Sequence, residues 1–71
     1  MKRTVLIRRI GKAAKRTGAA WVFVRQGGNH EIWSCASTMV TIPRHREISE
    51  LTAHGIMKDL EMALGKEWWK K

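Results

Sequence analysis

A single cysteine, Cys35, leaves the chain without an internal disulfide, and a lone thiol fits a reducing cytosol. Long apolar runs are also missing. The longest falls far short of a membrane span, and no hydrophobic stretch of the signal-peptide kind follows the basic start. A soluble, cytoplasmic protein without membrane association is therefore expected. Acidic residues are absent from residues 1–30, which carry Lys2, Arg3, Arg8, Arg9, Lys12, Lys15, Arg16 and Arg25. Residues 31–71 hold six basic and six acidic side chains, so the whole net charge of +8 belongs to the first segment. Such confinement points to a polyanion-binding face or an acidic partner, with a solvated face as the plainer reading. With 71 residues the chain makes one domain with a thin core.

What is present has clear periodicity. From Thr4 to Gly18, Leu6, Ile10, Ala13 and Thr17 stack on one side of a helix, and Arg8, Arg9, Lys12, Lys15 and Arg16 fall on the opposite arc. Thr4 suits an N-cap and Gly18 a stop, while Gly11 inside the helix implies a close packing contact. "AWVFVRQ" (20–26) alternates as a strand, placing Trp21, Phe23 and Arg25 on one face against Val22 and Val24. Gly27-Gly28-Asn29 reads as a turn, "HEIWSCA" as a second strand, Ser37-Thr38 as a weaker turn, and "MVTI" as a third strand stopped by Pro43. Ala53, Ile56, Met57, Leu60, Ala63 and Leu64 mark a second helix, with Thr52 as cap and Gly65 as stop. The expected fold is α+β, in the order α-β-β-β-α, with a three-stranded antiparallel sheet and two helices on one face. This is the layout of double-stranded-RNA-binding domains.

Three histidines offer proton chemistry near neutral pH. In RNA, a base can take the 2′-hydroxyl proton, the oxygen attacks the adjacent phosphorus, and an acid protonates the leaving 5′-oxygen. His30 is the best placed, because it follows a turn whose Gly28 and Asn29 amides can face a phosphate. Arg25 lies across the hairpin from it. A histidine idle at a strand end is the plainer alternative. His45, between Arg44 and Arg46, suits a phosphate contact or loop packing, and His54 is expected to face solvent. No Cys-x-x-Cys or His-x₃₋₅-His spacing exists, so no metal site is expected. Cys35 reads as a small core residue. Glu31 should point to the face opposite His30. Trp21 and Trp33 suit packing on the sheet, while Trp68-Trp69 in the basic tail suits docking on the domain or on a partner.

The basic first helix, the strand ending in "RQGGNH", "VTIPRH" and the closing "LTAHGIMKDLEMALG" together resemble the HicA toxins of HicA–HicB toxin–antitoxin pairs. The likeness covers residues 4–65, leaving a short basic tail at 66–71. It implies a double-stranded-RNA-binding-like fold and a ribosome-independent mRNA endonuclease that arrests translation without a cofactor. His30 takes the place of the family's essential turn histidine. The resemblance also implies a HicB-like antitoxin covering the His30 face, with operator DNA reached only through that complex. Many members carry serine or aspartate where this chain has Asn29, which can still hydrogen-bond but cannot ionise. The expected RNA contacts are Arg8, Arg9, Lys12, Lys15, Arg16, Arg25, Gly28, Asn29 and His45. The competing readings are a non-catalytic RNA-binding module using the same basic face, and an interaction protein whose basic helix docks on an acidic partner.

Overall fold

The computed structural model describes residues 1–70. Its elements are α1 (Arg3–Thr17), β1 (Trp21–Gly27), β2 (His30–Cys35), β3 (Thr38–Pro43), α2 (Glu50–Asp59), α3 (Glu61–Leu64) and a 3₁₀ turn (Trp68–Lys70). The strands form an antiparallel meander in chain order, so the fold is the expected α+β arrangement. No helix among the described residues is long and apolar enough to cross a membrane.

α1 buries Leu6, Ile10, Ala13 and Ala14, one stripe of an amphipathic helix, and turns its cations outward. Gly18 ends it with φ 78°, and the Ala19 amide donates to the Ala14 carbonyl at 2.8 Å. The start differs from expectation. Lys2 rather than Thr4 occupies the N-cap position, and no side chain caps the helix. Backbone pairing secures this end instead, since Lys2 bridges to Glu47 and the Arg3 amide donates to the Arg46 carbonyl at 2.9 Å. Gly11 does not mark the expected close contact, since a Cβ there would lie 3.7 Å from the Trp21 ring, an ordinary van der Waals distance.

The second helix begins at Ser49, not Thr52. The Ser49 Oγ accepts from the Thr52 amide at 3.2 Å, the geometry of an N-cap one turn earlier. A break at Leu60 separates α2 from α3, yet Ala53, Ile56, Met57, Leu60 and Leu64 remain one buried stripe. The core also reaches into the tail. Trp68 is only 3% exposed, and its indole N–H donates to the Met57 carbonyl at 2.8 Å. The tail thus docks on its own domain through Trp68.

Pairing assigns the two sheet faces. Glu31, Trp33 and Cys35 oppose Ile42, Val40 and Thr38, and these positions face the helices. Cys35, Val40 and Ile42 are buried there, each contributing about 1–3 kcal/mol. Burial also pushes the Cys35 thiol up from its ordinary value of 9.0, as suits an unreactive core residue. Trp21 stacks on Trp33 with ring centres 4.6 Å apart and closes the β1 side. The other face is open: His30, Ile32 and Ser34 lie on it with Val22 and Met39, which are about half exposed (51% and 56%). The β2–β3 turn is Ala36-Ser37, one residue earlier than expected, with φ 48° and 75° at its two central positions. That is the hand of turn that matches strand twist, adopted here without glycine.

Candidate active site at the β1–β2 turn

The first hairpin closes with two residues. Gly27 ends β1 opposite His30, so only Gly28 and Asn29 turn the chain. Gly28 alone of the pair has positive φ (59°), the type II′ requirement for glycine at the first central position. His30 is the first residue of β2 and is exposed on the open face of the sheet.

Arg25 joins it there through an irregularity that alternation does not reveal. Phe23 pairs with Trp33, but Arg25 pairs with Ile32, so Val24 is a bulged extra residue. In a regular ladder Arg25 would oppose Glu31 and face the helices with Trp21 and Phe23. The bulge turns it over, correcting the expectation that those three share a face. The side chains then converge above Gly27: a Cβ on that glycine would lie 3.6 Å from both Arg25 Nη1 and His30 Nε2. Both distances are ordinary van der Waals contacts, so Gly27 marks where the two side chains meet without being required for their approach.

Glu31 secures the opposite side of the same corner. It faces the helices, as expected, and its carboxylate accepts from the Trp33 indole at 2.9 Å and from the Arg3 guanidinium, with Arg44 Nε at 3.9 Å. Arg3 Nε also donates to the Pro43 carbonyl at 2.9 Å. The Trp33 hydrogen bond and the Arg3 and Arg44 charges hold the Glu31 carboxyl below its ordinary 4.5, outweighing burial. One carboxylate therefore ties α1 and the loop after β3 to the strand that carries His30.

The Arg44 amide donates to the Asn29 carbonyl at 2.8 Å, bringing residues 44–46 against the turn. His45 lies in that loop and is exposed. Beside it opens a cleft of about 530 Å³ lined by Lys2, Arg3, Thr4, Arg44 and Arg46. Lys2, Arg3, Arg44 and Arg46 were not among the expected contacts. Their sequence signal was the basic pair at residues 2–3 and the arginines flanking His45. Arg25, Gly28, Asn29, His30 and His45 thus come to one end of the sheet. Arg8, Arg9, Lys12, Lys15 and Arg16 do not, because α1 packs on the other face and turns them away from it.

His30 makes no side-chain hydrogen bond among the described residues, and Glu31 points away from it. No three His, Cys, Asp or Glu side chains among the described residues gather as metal ligands. The arrangement combines an exposed proton carrier, an adjacent guanidinium and a cationic cleft, which suits a phosphodiester. No protein-family model, curated protein or solved structure matches the chain.

Proposed function

We propose that this chain is a HicA-like toxin, a metal-independent endoribonuclease that cuts mRNA in the cytoplasm and arrests translation, with His30 as general acid or base. The observation that supports this most directly is the convergence of Arg25 and His30 over Gly27 on the open face, with a cationic cleft behind the turn at the same end of the sheet. His30 abstracts the 2′-hydroxyl proton or protonates the departing 5′-oxygen, a role worth about 10²–10⁴-fold in rate. Arg25 stabilises the added negative charge on phosphorus, and its planar fork suits two phosphate oxygens. Lys2, Arg44 and Arg46 draw the backbone toward the turn without reading bases, so affinity falls with salt while sequence preference stays modest. The exposed apolar side chains Val22 and Met39 flank Ser34 on the same open sheet face as His30, and they supply a surface that a HicB-like antitoxin spanning that face would cover, masking the histidine.

One observation favours a non-catalytic RNA-binding module on the same surface: no carboxylate faces His30 to orient it. Incubating the purified chain with a defined RNA, with and without a chelator, separates the two readings. Fragments that form in the chelator and vanish in His30→Ala support the nuclease. Intact RNA carried in a mobility shift by wild type supports the binder and overturns the nuclease.

A further inference from the structure

The cations on α1 face away from His30 and gather at the opposite side of the domain. Arg9, Lys12 and Arg16 line a cleft of about 90 Å³ whose other walls are Ala13, Trp68 and Trp69. No carboxylate lines it. Three cations around one small, open hollow suit a phosphate group. Trp69 also lines a second cleft of about 280 Å³, where Lys58, Lys66 and Lys70 outnumber Glu61 and Glu67. Glu67 pairs with Lys70 at 3.2 Å, and Glu61 accepts from the Glu67 amide at 2.8 Å, so Lys58 and Lys66 against Glu61 leave this hollow with a small positive excess.

Trp69 therefore stands between two positively charged hollows. Its ring is steadied by edge-to-face contacts with Trp68 (5.9 Å) and His54 (5.5 Å), and Trp68 is itself locked into the core. Trp69 is only partly buried, and its indole makes no hydrogen bond among the described residues. A rigid, partly exposed indole flanked by cations is the arrangement that binds single-stranded nucleic acid. Cations track the backbone, and a base lies on the ring whatever its identity.

We infer that the groove between α1 and the tail is a binding site for single-stranded nucleic acid. One phosphate sits among Arg9, Lys12 and Arg16, and the neighbouring base stacks on Trp69. Single strands are favoured over duplex because the base must leave its partner to reach the indole. This extends the RNA reading to a second surface, and occupancy there does not depend on cleavage at His30. It gives His54, Trp69 and the α1 arc a shared role.

The test uses the full chain and two fluorescein-labelled probes of eight nucleotides, oligothymidylate and an abasic deoxyribose-phosphate oligomer, neither carrying a 2′-hydroxyl. Wild type should bind the thymidylate about ten-fold tighter than the abasic probe, the size of one base–aromatic stack. Trp69→Leu, which keeps apolar packing, should erase that preference, and Trp69→Phe should retain most of it. The double variant Lys12→Glu, Arg16→Glu should weaken both probes and lower the slope of log affinity against log salt by about 1–2. Thermal melts confirm that each variant is folded. Equal affinity of wild type for both probes overturns the inference. So does unchanged preference in Trp69→Leu, or tighter binding of a duplex of the same length. Failure of the His30 reading appears separately, as RNA left intact while the thymidylate preference persists.

Discussion

Replacing Glu31 tests whether one carboxylate holds the candidate site together. Its side chain is 16% exposed and that of Arg3 21%, so their contact is substantially shielded from solvent. Arg44, at 3.9 Å and 47% exposed, adds little. A hydrogen bond to a charged partner contributes about 1.5–3 kcal/mol, less where water still reaches it. Glu31→Gln keeps an acceptor for the Trp33 indole and removes the charge facing Arg3, so a loss of about 1–2 kcal/mol is expected. Glu31→Ala also strands the indole N–H and should cost about 2–4 kcal/mol. A domain of this size has only about 4–10 kcal/mol in total, so either change is large. At about 4–8 °C per kcal/mol, Glu31→Gln should lower Tm by roughly 5–15 °C.

The pH dependence of the same pair gives a second readout. The folded carboxyl lies below its ordinary 4.5, so its contribution is fully present above pH 4.5 and is lost as pH falls through the lowered folded value. The stability gap between wild type and Glu31→Gln should therefore close in acid. Urea unfolding followed by circular dichroism at pH 7, 5 and 3 measures it. A gap under about 0.5 kcal/mol at pH 7, or one that does not narrow between pH 5 and pH 3, would show that the Glu31 charge does not hold this corner together.

The catalytic reading and the core each give further expectations. A 2′-deoxy nucleotide at the cleavage position should block cutting, and normal products should carry 2′,3′-cyclic phosphate and 5′-hydroxyl ends; cleavage of the deoxy substrate would rule out the 2′-oxygen as nucleophile. Arg25→Ala should slow single-turnover cleavage about 10²–10³-fold while moving Tm by less than about 3 °C, since its side chain is exposed. Trp68→Ala removes a core ring and its hydrogen bond to Met57, a loss of about 3–5 kcal/mol, seen as an early or vanished melting transition. Gly11→Ala should raise stability by about 0.5–1 kcal/mol in urea titrations, because the added Cβ meets the Trp21 ring at an ordinary 3.7 Å.

Features encoded by local period are legible in the sequence, and features imposed by pairing are not. Leu6, Ile10 and Ala13 at helical spacing, and Val40 and Ile42 at strand spacing, announce their buried faces directly. Gly28 and Gly18 announce a turn and a helix end because each holds a positive φ. The helix starts depart from the local signals because Lys2 bridges to Glu47 and the Arg3 amide donates to the Arg46 carbonyl, far along the chain, and because Ser49 and Thr52 are equally able acceptors. The bulge at Val24 is invisible because "WVFVRQ" alternates perfectly as written. Only the register against β2 shows that Arg25 has changed face. Trp68 reads as a tail residue by position and proves to be core by contact.

The bulge also explains how one small sheet serves packing and chemistry together. Before Val24, β1 gives its inward positions to Trp21 and Phe23, which pack on Trp33. After it, the same strand turns Arg25 outward to stand over Gly27 with His30, while Gln26 takes the inward place opposite Glu31. A regular strand would have brought Arg25 to the helix side, against the carboxylate that Arg3 and Trp33 already occupy. One inserted residue thus leaves Glu31 to bind the scaffold and frees Arg25 for a phosphate. The cations divide along the same line. Arg3 is committed to the fold, Arg25, Arg44 and Arg46 gather at the turn, and Arg9, Lys12 and Arg16 face the tail. The excess charge therefore divides along α1: Lys2 and Arg3 at its start line the cleft near the turn, and Arg9, Lys12 and Arg16 further on line the cleft under the tail.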